Sequence, residues 1–309
     1  MKQTILITGG AGNIASALAK KLSENSQNHI VIVDNLSTGE FKKIPKQENI
    51  TFIKADANSL LDMTAVFGRF NFDYVFHYAA VVGVSRTLEH PVKVLNDIEG
   101  IKIIVSLSKN TGVKRVFYSS SSEVYGEPFE IPQNERTTPL NSRLPYAIVK
   151  NVGEAFFKSY YQEYGLDYTI FRFFNTYGPN QSEDFVMIKF IKLALQNQPI
   201  ALYGDGLQTR SFCYVDDNVD ACIAAMTHPL CKNDVMNVGS DREQTIKSLA
   251  EQVIKTCNSK SEVIHLPALE EGDMTRRCPD ISKMKQVLNR DLIPVQEGIL
   301  RIISAYKFN

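Results

Sequence analysis

Residues 8–15 read TGGAGNIA, between an apolar run, TILIT (4–8), and a helix-like segment, AGNIASALAKKL (11–22). No other stretch constrains the fold as tightly. A strand that feeds a glycine turn and then a helix opens a βαβ unit, and such units stack into parallel sheets. Gly9, Gly10 and Gly12 omit side chains where the backbone would turn sharply and approach a pyrophosphate. The helix that follows presents unbonded N–H groups and its positive dipole end to the same place. Ala15 stands where a third glycine often lies and is small enough for helix and strand to pack closely. Alone, such a pattern often marks only a tight turn. Its support is Asp34, at the end of the second apolar run, HIVIVD (29–34), and 22 residues after Gly12. A carboxylate there accepts hydrogen bonds from an adenosine ribose and repels a 2′-phosphate. The next residue is Asn35 rather than arginine, so the expected cofactor is NAD.

The alternation continues along the chain. ITFIKAD (50–56), YVFHYAA (74–80), RVFYSS (115–120) and DYTIFRFF (167–174) predict four more strands. KVLNDIEGIKIIVSLSKNTG (93–112) and YAIVKNVGEAFFKSYYQEYG (146–165) predict long helices, each ending at a glycine. The expected fold class is α/β, a Rossmann doubly wound parallel sheet. Beyond about residue 176 the texture changes. A helix over 185–196 precedes a strand, turn and strand across PIALYGDGLQTRSFCYVDD, then a helix over DNVDACIAAM capped by Asp216 or Asp217. The expected division is an NAD-binding domain over 1–175 and a smaller, mixed substrate-binding region over 176–309, interleaved with the first.

Lysines plus arginines number 34, as do aspartates plus glutamates, so no basic excess points to nucleic acid or an anionic membrane. The five cysteines form no CxxC pair, which argues against a disulfide framework or a zinc site and for a reducing compartment. No apolar run approaches the ~20 residues that span a bilayer, and the N-terminal one is too short for a secretory signal. The expected location is cytoplasmic.

Tyr146 and Lys150 are spaced i, i+4, so they share one face of their helix, and Pro145 presets its first turn. A free tyrosine, with a pKa of ~10, is a poor base. A neighbouring ammonium favours the phenolate, and the expectation is that Lys150 lowers the pKa of Tyr146. Tyr146 then takes the proton of a substrate hydroxyl while its carbon gives hydride to a nicotinamide. With 13 tyrosines in the chain, one YxxxK arises by chance, so the pair needs company. SSSSEVYGEP (119–128) ends the preceding strand on the edge of the sheet where ligands bind. From there Ser121 can hydrogen-bond the same hydroxyl.

TGGAGNIA, DNLSTG, HYAA, SSSSEVYG, YAIVK and RFFNTYGP, in this order, resemble the extended short-chain dehydrogenase/reductase family, and within it enzymes that modify nucleotide-activated sugars. The resemblance runs from Lys2 to about Lys285. It implies Ser121, Tyr146 and Lys150 as the catalytic trio, with Glu123 as a further acid or base. It implies that Asp56 and Ala57 hold the adenine, and that Ala79, Ala80 and Asn96 line the cofactor channel. Asn13, Ile14, Asn35, Ser37, Thr38 and Gly39 complete the implied cofactor contacts. At the substrate end it implies Ser122, Asn175, Lys189, Tyr203, Arg210 and Arg277, with Arg276 as a neighbour. Arginine suits a diphosphate because its fork binds phosphate oxygens in pairs. No metal is implied.

Enzymes of this kind begin by oxidising a sugar hydroxyl, usually at C4. This chain is expected to act on a nucleotide diphosphate sugar through a 4-keto intermediate, ending in 4-epimerisation or net dehydrogenation. UDP-glucuronate decarboxylation and 4,6-dehydration stay open. Glu123 resembles the decarboxylases, AAVVGVSRTLEHP departs from their proline-rich stretch, and Ser122 departs from the Asp–Glu pair of common dehydratases. A non-catalytic NAD-binding regulator is the reading from another class, although such a protein is expected to lose the tyrosine or the lysine. Apolar residues on more than one side of the helices at 93–112 and 146–165, Ile101, Ile104, Val105, Phe156, Phe157 and Tyr160 among them, point to a homodimer or higher homo-oligomer.

Overall fold

The computed structural model describes residues 2–267 and 276–306. Six strands answer to the apolar runs: β1 (Gln3–Thr8), β2 (Asn28–Asp34), β3 (Ile50–Lys54), β4 (Tyr74–His77), β5 (Arg115–Ser121) and β6 (Tyr168–Phe173). A seventh, Asp234–Val238, lies beside β6. The sheet runs Asp234–Val238, β6, β5, β4, β1, β2, β3. Every pairing is parallel. β1 lies between β2 and β4, with Ile7 opposite both Ile32 and Phe76. The chain therefore leaves β1 in one direction and resumes from β4 in the other, which opens a crevice at their C-terminal ends.

Alternate residues of each strand serve opposite faces. Ile5, Ile7, Ile30, Ile32, Phe76, Phe117 and Phe171 enter one buried layer. Leu6, Val31, Val33, Val75, Val116, Tyr118 and Ile170 enter the other. Fully burying such a side chain is worth about 1.5–3 kcal/mol, so the sheet is the stable base on which the crevice is built. Helix α1 (Asn13–Ser23) lays Ala15, Leu18, Ala19 and Leu22 on the first layer. Helix α2 (Leu60–Arg69) starts at Ser59, whose hydroxyl accepts the Asp62 N–H at 3.3 Å.

Four departures from expectation have physical causes. β4 ends at His77 rather than at residue 80. The Tyr78 N–H is shared between the Thr8 carbonyl and the Thr8 hydroxyl, each at 3.2 Å, and the Ala79 N–H turns to that hydroxyl at 3.2 Å. The helix expected over 93–112 is two, Pro91–Leu95 and Asp97–Thr111, meeting at Asn96 and ending on Gly112 in the left-handed region. At the break, the buried Asp97 carboxylate accepts the Val81 N–H at 2.7 Å and the Asn58 amide at 3.1 Å. The strands Ile200–Tyr203 and Thr209–Ser211 do not pair with each other. The first joins Val263–Leu266 in parallel, and the second joins Glu243–Thr245 antiparallel. Finally, the helix Val215–Ala225 is capped by Tyr214, with Asp216 and Asp217 inside its first turn. Asp217 instead accepts the Ile293 N–H at 2.8 Å and Arg290 at 2.5 Å, tying the helix to the chain beyond it.

All five cysteines are free thiols. Among the described residues no helix is long and apolar enough to cross a membrane.

Candidate active site

A cavity of about 630 Å³ opens at the C-terminal ends of β1, β4 and β5. Every cofactor-binding residue expected from the sequence, from Gly9 to Asn96, lines it. So do Ser121, Ser122, Glu123, Tyr146, Lys150, Asn175 and Arg277. Lys189, Tyr203 and Arg210 do not. Lys189 is exposed on the helix Val186–Leu195, and Tyr203 is 39% exposed at the end of its strand. Arg210 sits in the short antiparallel pair with Glu243–Thr245 and donates to the Thr209 carbonyl at 2.7 Å. Arg276 lies outside the lining as well, held on Glu243 at 2.6 Å.

At the dinucleotide end, the glycine turn is a close fit. Gly9 has φ +70, and a Cβ there would lie 2.7 Å from the Ala79 backbone. Gly12 begins α1 without a side-chain cap, so the first N–H groups of the helix remain available to an anion. The Asn13 side-chain oxygen is buried without a partner. Asp34 accepts the Ala11 N–H at 2.9 Å on one oxygen and the Leu36 N–H at 2.7 Å on the other. The carboxylate thereby locks the glycine turn to the loop after β2, and an ionised carboxylate still has lone pairs left for ribose hydroxyls. Asn35 reaches across to Asp56 at 3.1 Å. These features fit NAD.

At the other end stand the serines and the tyrosine–lysine helix, Pro145–Tyr164. Ser121 hydrogen-bonds Tyr146, and its oxygen also accepts the Glu123 N–H at 3.2 Å. Lys150, 3% exposed, gives its ammonium to the Ser119 carbonyl at 2.6 Å and the Ser119 hydroxyl at 3.3 Å. It lies 5.7 Å from the centre of the Tyr146 ring. Burial pushes the Lys150 pKa down to about 8, against the pull of Asp97, which raises it.

Tyr146 departs from expectation. Its ring is part-open to the cavity, yet loss of water and then the Glu123 charge push its pKa above the ordinary value, opposed by Ser121 and Arg277. The ammonium meant to lower it is spent on Ser119. A phenolate at Tyr146 is opposed by burial and Glu123 and favoured by Ser121 and Arg277. Glu123 is itself ion-paired: Arg277 holds it at 2.7 Å, so the arginine expected on a diphosphate meets a carboxylate here.

Two features of the site had no expected role. Asp97 braces the cavity wall through Val81 and Asn58. His77, buried behind the serines, stacks on Tyr118 and meets the Thr8 hydroxyl at 2.9 Å. Burial holds its pKa at about 3, so it stays neutral.

A family model described as "NAD dependent epimerase/dehydratase family" matches residues 5–239. The chain is 35% identical to a putative UDP-glucose 4-epimerase of Methanocaldococcus jannaschii, over 99% of each chain. It is 35% identical to a UDP-N-acetyl-alpha-D-glucosaminuronate decarboxylase of Bacillus cytotoxicus, over 93% of this chain and 92% of that one. Among solved structures it is similar to the UDP-glucose 4-epimerase of Thermotoga maritima with UDP-glucose, at TM-score 0.92 and 31% identity over 98% of both chains.

Proposed function

This chain belongs to the NAD-dependent epimerase/dehydratase family, and we propose from that premise that it oxidises the C4 hydroxyl of a UDP-linked sugar. The product is a 4-keto sugar, leading to 4-epimerisation or net dehydrogenation. The observation that carries this reading is the convergence of Ser121, Tyr146 and Lys150 with the glycine turn and Asp34 on one cavity. The relatives named above act on UDP-sugars, which supports uridine diphosphate as the carrier.

NAD would be held by the glycine turn, Asp34, Asp56 and the wall at Ala79, Ala80 and Asn96. When bound it supplies the hydride acceptor and, in its oxidised ring, a positive charge. Ser121 orients the C4 hydroxyl. Tyr146, as phenolate, takes the hydroxyl proton while the C4–H bond breaks. Lys150, protonated below about pH 8, contributes positive charge on the same helix face. Asn175, which donates to the Ser211 carbonyl at 3.2 Å, is proposed beside the diphosphate.

The test mixes purified protein, NAD and a panel of UDP-sugars, and follows nicotinamide absorbance and sugar NMR. Tyr146→Phe is expected to lower turnover at least about 100-fold. Undiminished turnover in that variant overturns the reading. No turnover of any sugar by the wild type favours an NAD-binding regulator.

The Glu123–Arg277 pair favours a second reading, decarboxylation of a UDP-hexuronate. Arg277 could then exchange its own carboxylate for that of the sugar. Oxidation at C4 makes a β-keto acid, which loses CO2, and the hydride returns to the ketone. CO2 release from a UDP-hexuronate separates this from epimerisation.

We also infer a homodimer. Of the residues expected to mark it, Ile101, Ile104, Val105 and Phe157 are instead buried in the core beside the sheet. The helix Pro145–Tyr164 still leaves Ile148, Tyr161 and Tyr164 at least 38% exposed. Light scattering showing a monomer at micromolar concentration removes it.

A further inference from the structure

The helix that carries Tyr146 and Lys150 carries Glu154 one turn further along the same face. Glu154 is 1% exposed, and its partner on β6, Arg172, is 2% exposed. Arg172 Nε donates to one Glu154 oxygen at 2.8 Å and Nη2 to the other at 2.7 Å. Burial works against the carboxylate charge, yet the bonds from Arg172 and Ser120 hold Glu154 below the usual carboxylate range. A buried pair of this kind is weak evidence for stability, because apolar residues of similar volume often serve as well.

The bonds that leave the pair are more informative. Ser120 Oγ donates to Glu154 at 2.7 Å. Ser120 lies between Ser119, which holds Lys150, and Ser121, which bonds Tyr146. On the opposite side, Arg172 Nη1 donates to the Tyr125 hydroxyl at 2.8 Å, and that hydroxyl donates to Asn237 at 2.7 Å. Tyr125 closes the short turn Ser122–Tyr125, which carries Glu123. One buried ion pair thus touches the helix of the base, the strand end of the serines and the turn of the acid.

We propose that Glu154 and Arg172 are positioning residues. Through Ser120 they set the end of β5 against the Tyr146–Lys150 face, and through Tyr125 they set the distance between Glu123 and Tyr146. The kinetic consequence rests on the function proposed above; the structural one does not. The Glu123 charge raises the Tyr146 pKa. A released turn lets that charge drift and water enter, and both lower the pKa.

Tyr125→Phe and Ser120→Ala test this without breaking the buried pair. Each is expected to lower kcat by between about 10- and 100-fold, with KM for NAD unchanged. Each is also expected to move the rising limb of the pH–rate profile to lower pH. Amide hydrogen exchange is expected to quicken at 119–126 and 145–154 while β1, β2 and β3 keep wild-type protection. An unmoved pH limb beside a wild type that turns over overturns the proposal, as does unchanged exchange at those segments. If the wild type turns over no sugar, the proposed function falls and exchange alone decides the positioning role. Should Tyr125→Phe not fold, Ser120→Ala carries the same readouts.

Discussion

Arg277 lies 2.7 Å from Glu123 on the wall of the cavity that holds Tyr146. The two charges act on the phenol in opposite senses, Glu123 raising its pKa and Arg277 lowering it. Glu123→Gln is therefore expected to move the rising limb of the pH–rate profile down, and Arg277→Met to move it up, each by about one pH unit. The double variant is expected to fall between them. Rates measured from pH 6 to 10 check this, and shifts in the same direction would refute it.

Lys150 offers a test of stability against activity. Its folded pKa, about 8, lies below the ordinary 10.5, so between those values the unfolded chain binds more protons than the folded one. The cost of keeping the ammonium buried is full below pH 8 and fades as pH rises to 10.5. Lys150→Met is expected to match or exceed the wild-type melting temperature at pH 7, with the difference shifting towards the wild type by pH 10. Turnover is expected to fall about 100-fold. A large drop in melting temperature at pH 7 would show that the bonds to Ser119 outweigh the burial of charge.

Asp34 holds two backbone N–H groups as well as the proposed ribose contact. Asparagine keeps one acceptor oxygen and loses the charge. Asp34→Asn is expected to weaken NAD binding at least about tenfold and to destabilise the fold by about 1–2 kcal/mol. Discrimination against NADP should shrink at the same time. Calorimetry with both dinucleotides, beside a thermal scan, measures all three. Unaltered NAD affinity would remove Asp34 from the cofactor site.

What could be read from the sequence was local. The glycine turn, Asp34 and the shared face of Tyr146 and Lys150 are set by short spacings and by the periods of strand and helix. Contacts between distant residues were not legible. Nothing near residue 172 announces that its arginine reaches Glu154 and Tyr125, and nothing near 277 announces Glu123. Where Pro91–Leu95 meets Asp97–Thr111, Asp97 reaches Val81, a tertiary contact that no local pattern announces. Motif resemblance fixes a position in the chain but not the direction of a side chain. Arg277 thus came to the cavity with an unforeseen partner, and Lys189, Tyr203 and Arg210 fell outside its lining.

The strand Asp234–Val238 borders β6 although a long stretch of other elements separates them in the chain. During synthesis β6 leaves the ribosome well before its neighbour, with the Arg172 side chain already made and Asn237 still to come. The nascent chain must therefore shield an open strand edge and an unfinished polar cluster until translation has passed Val238.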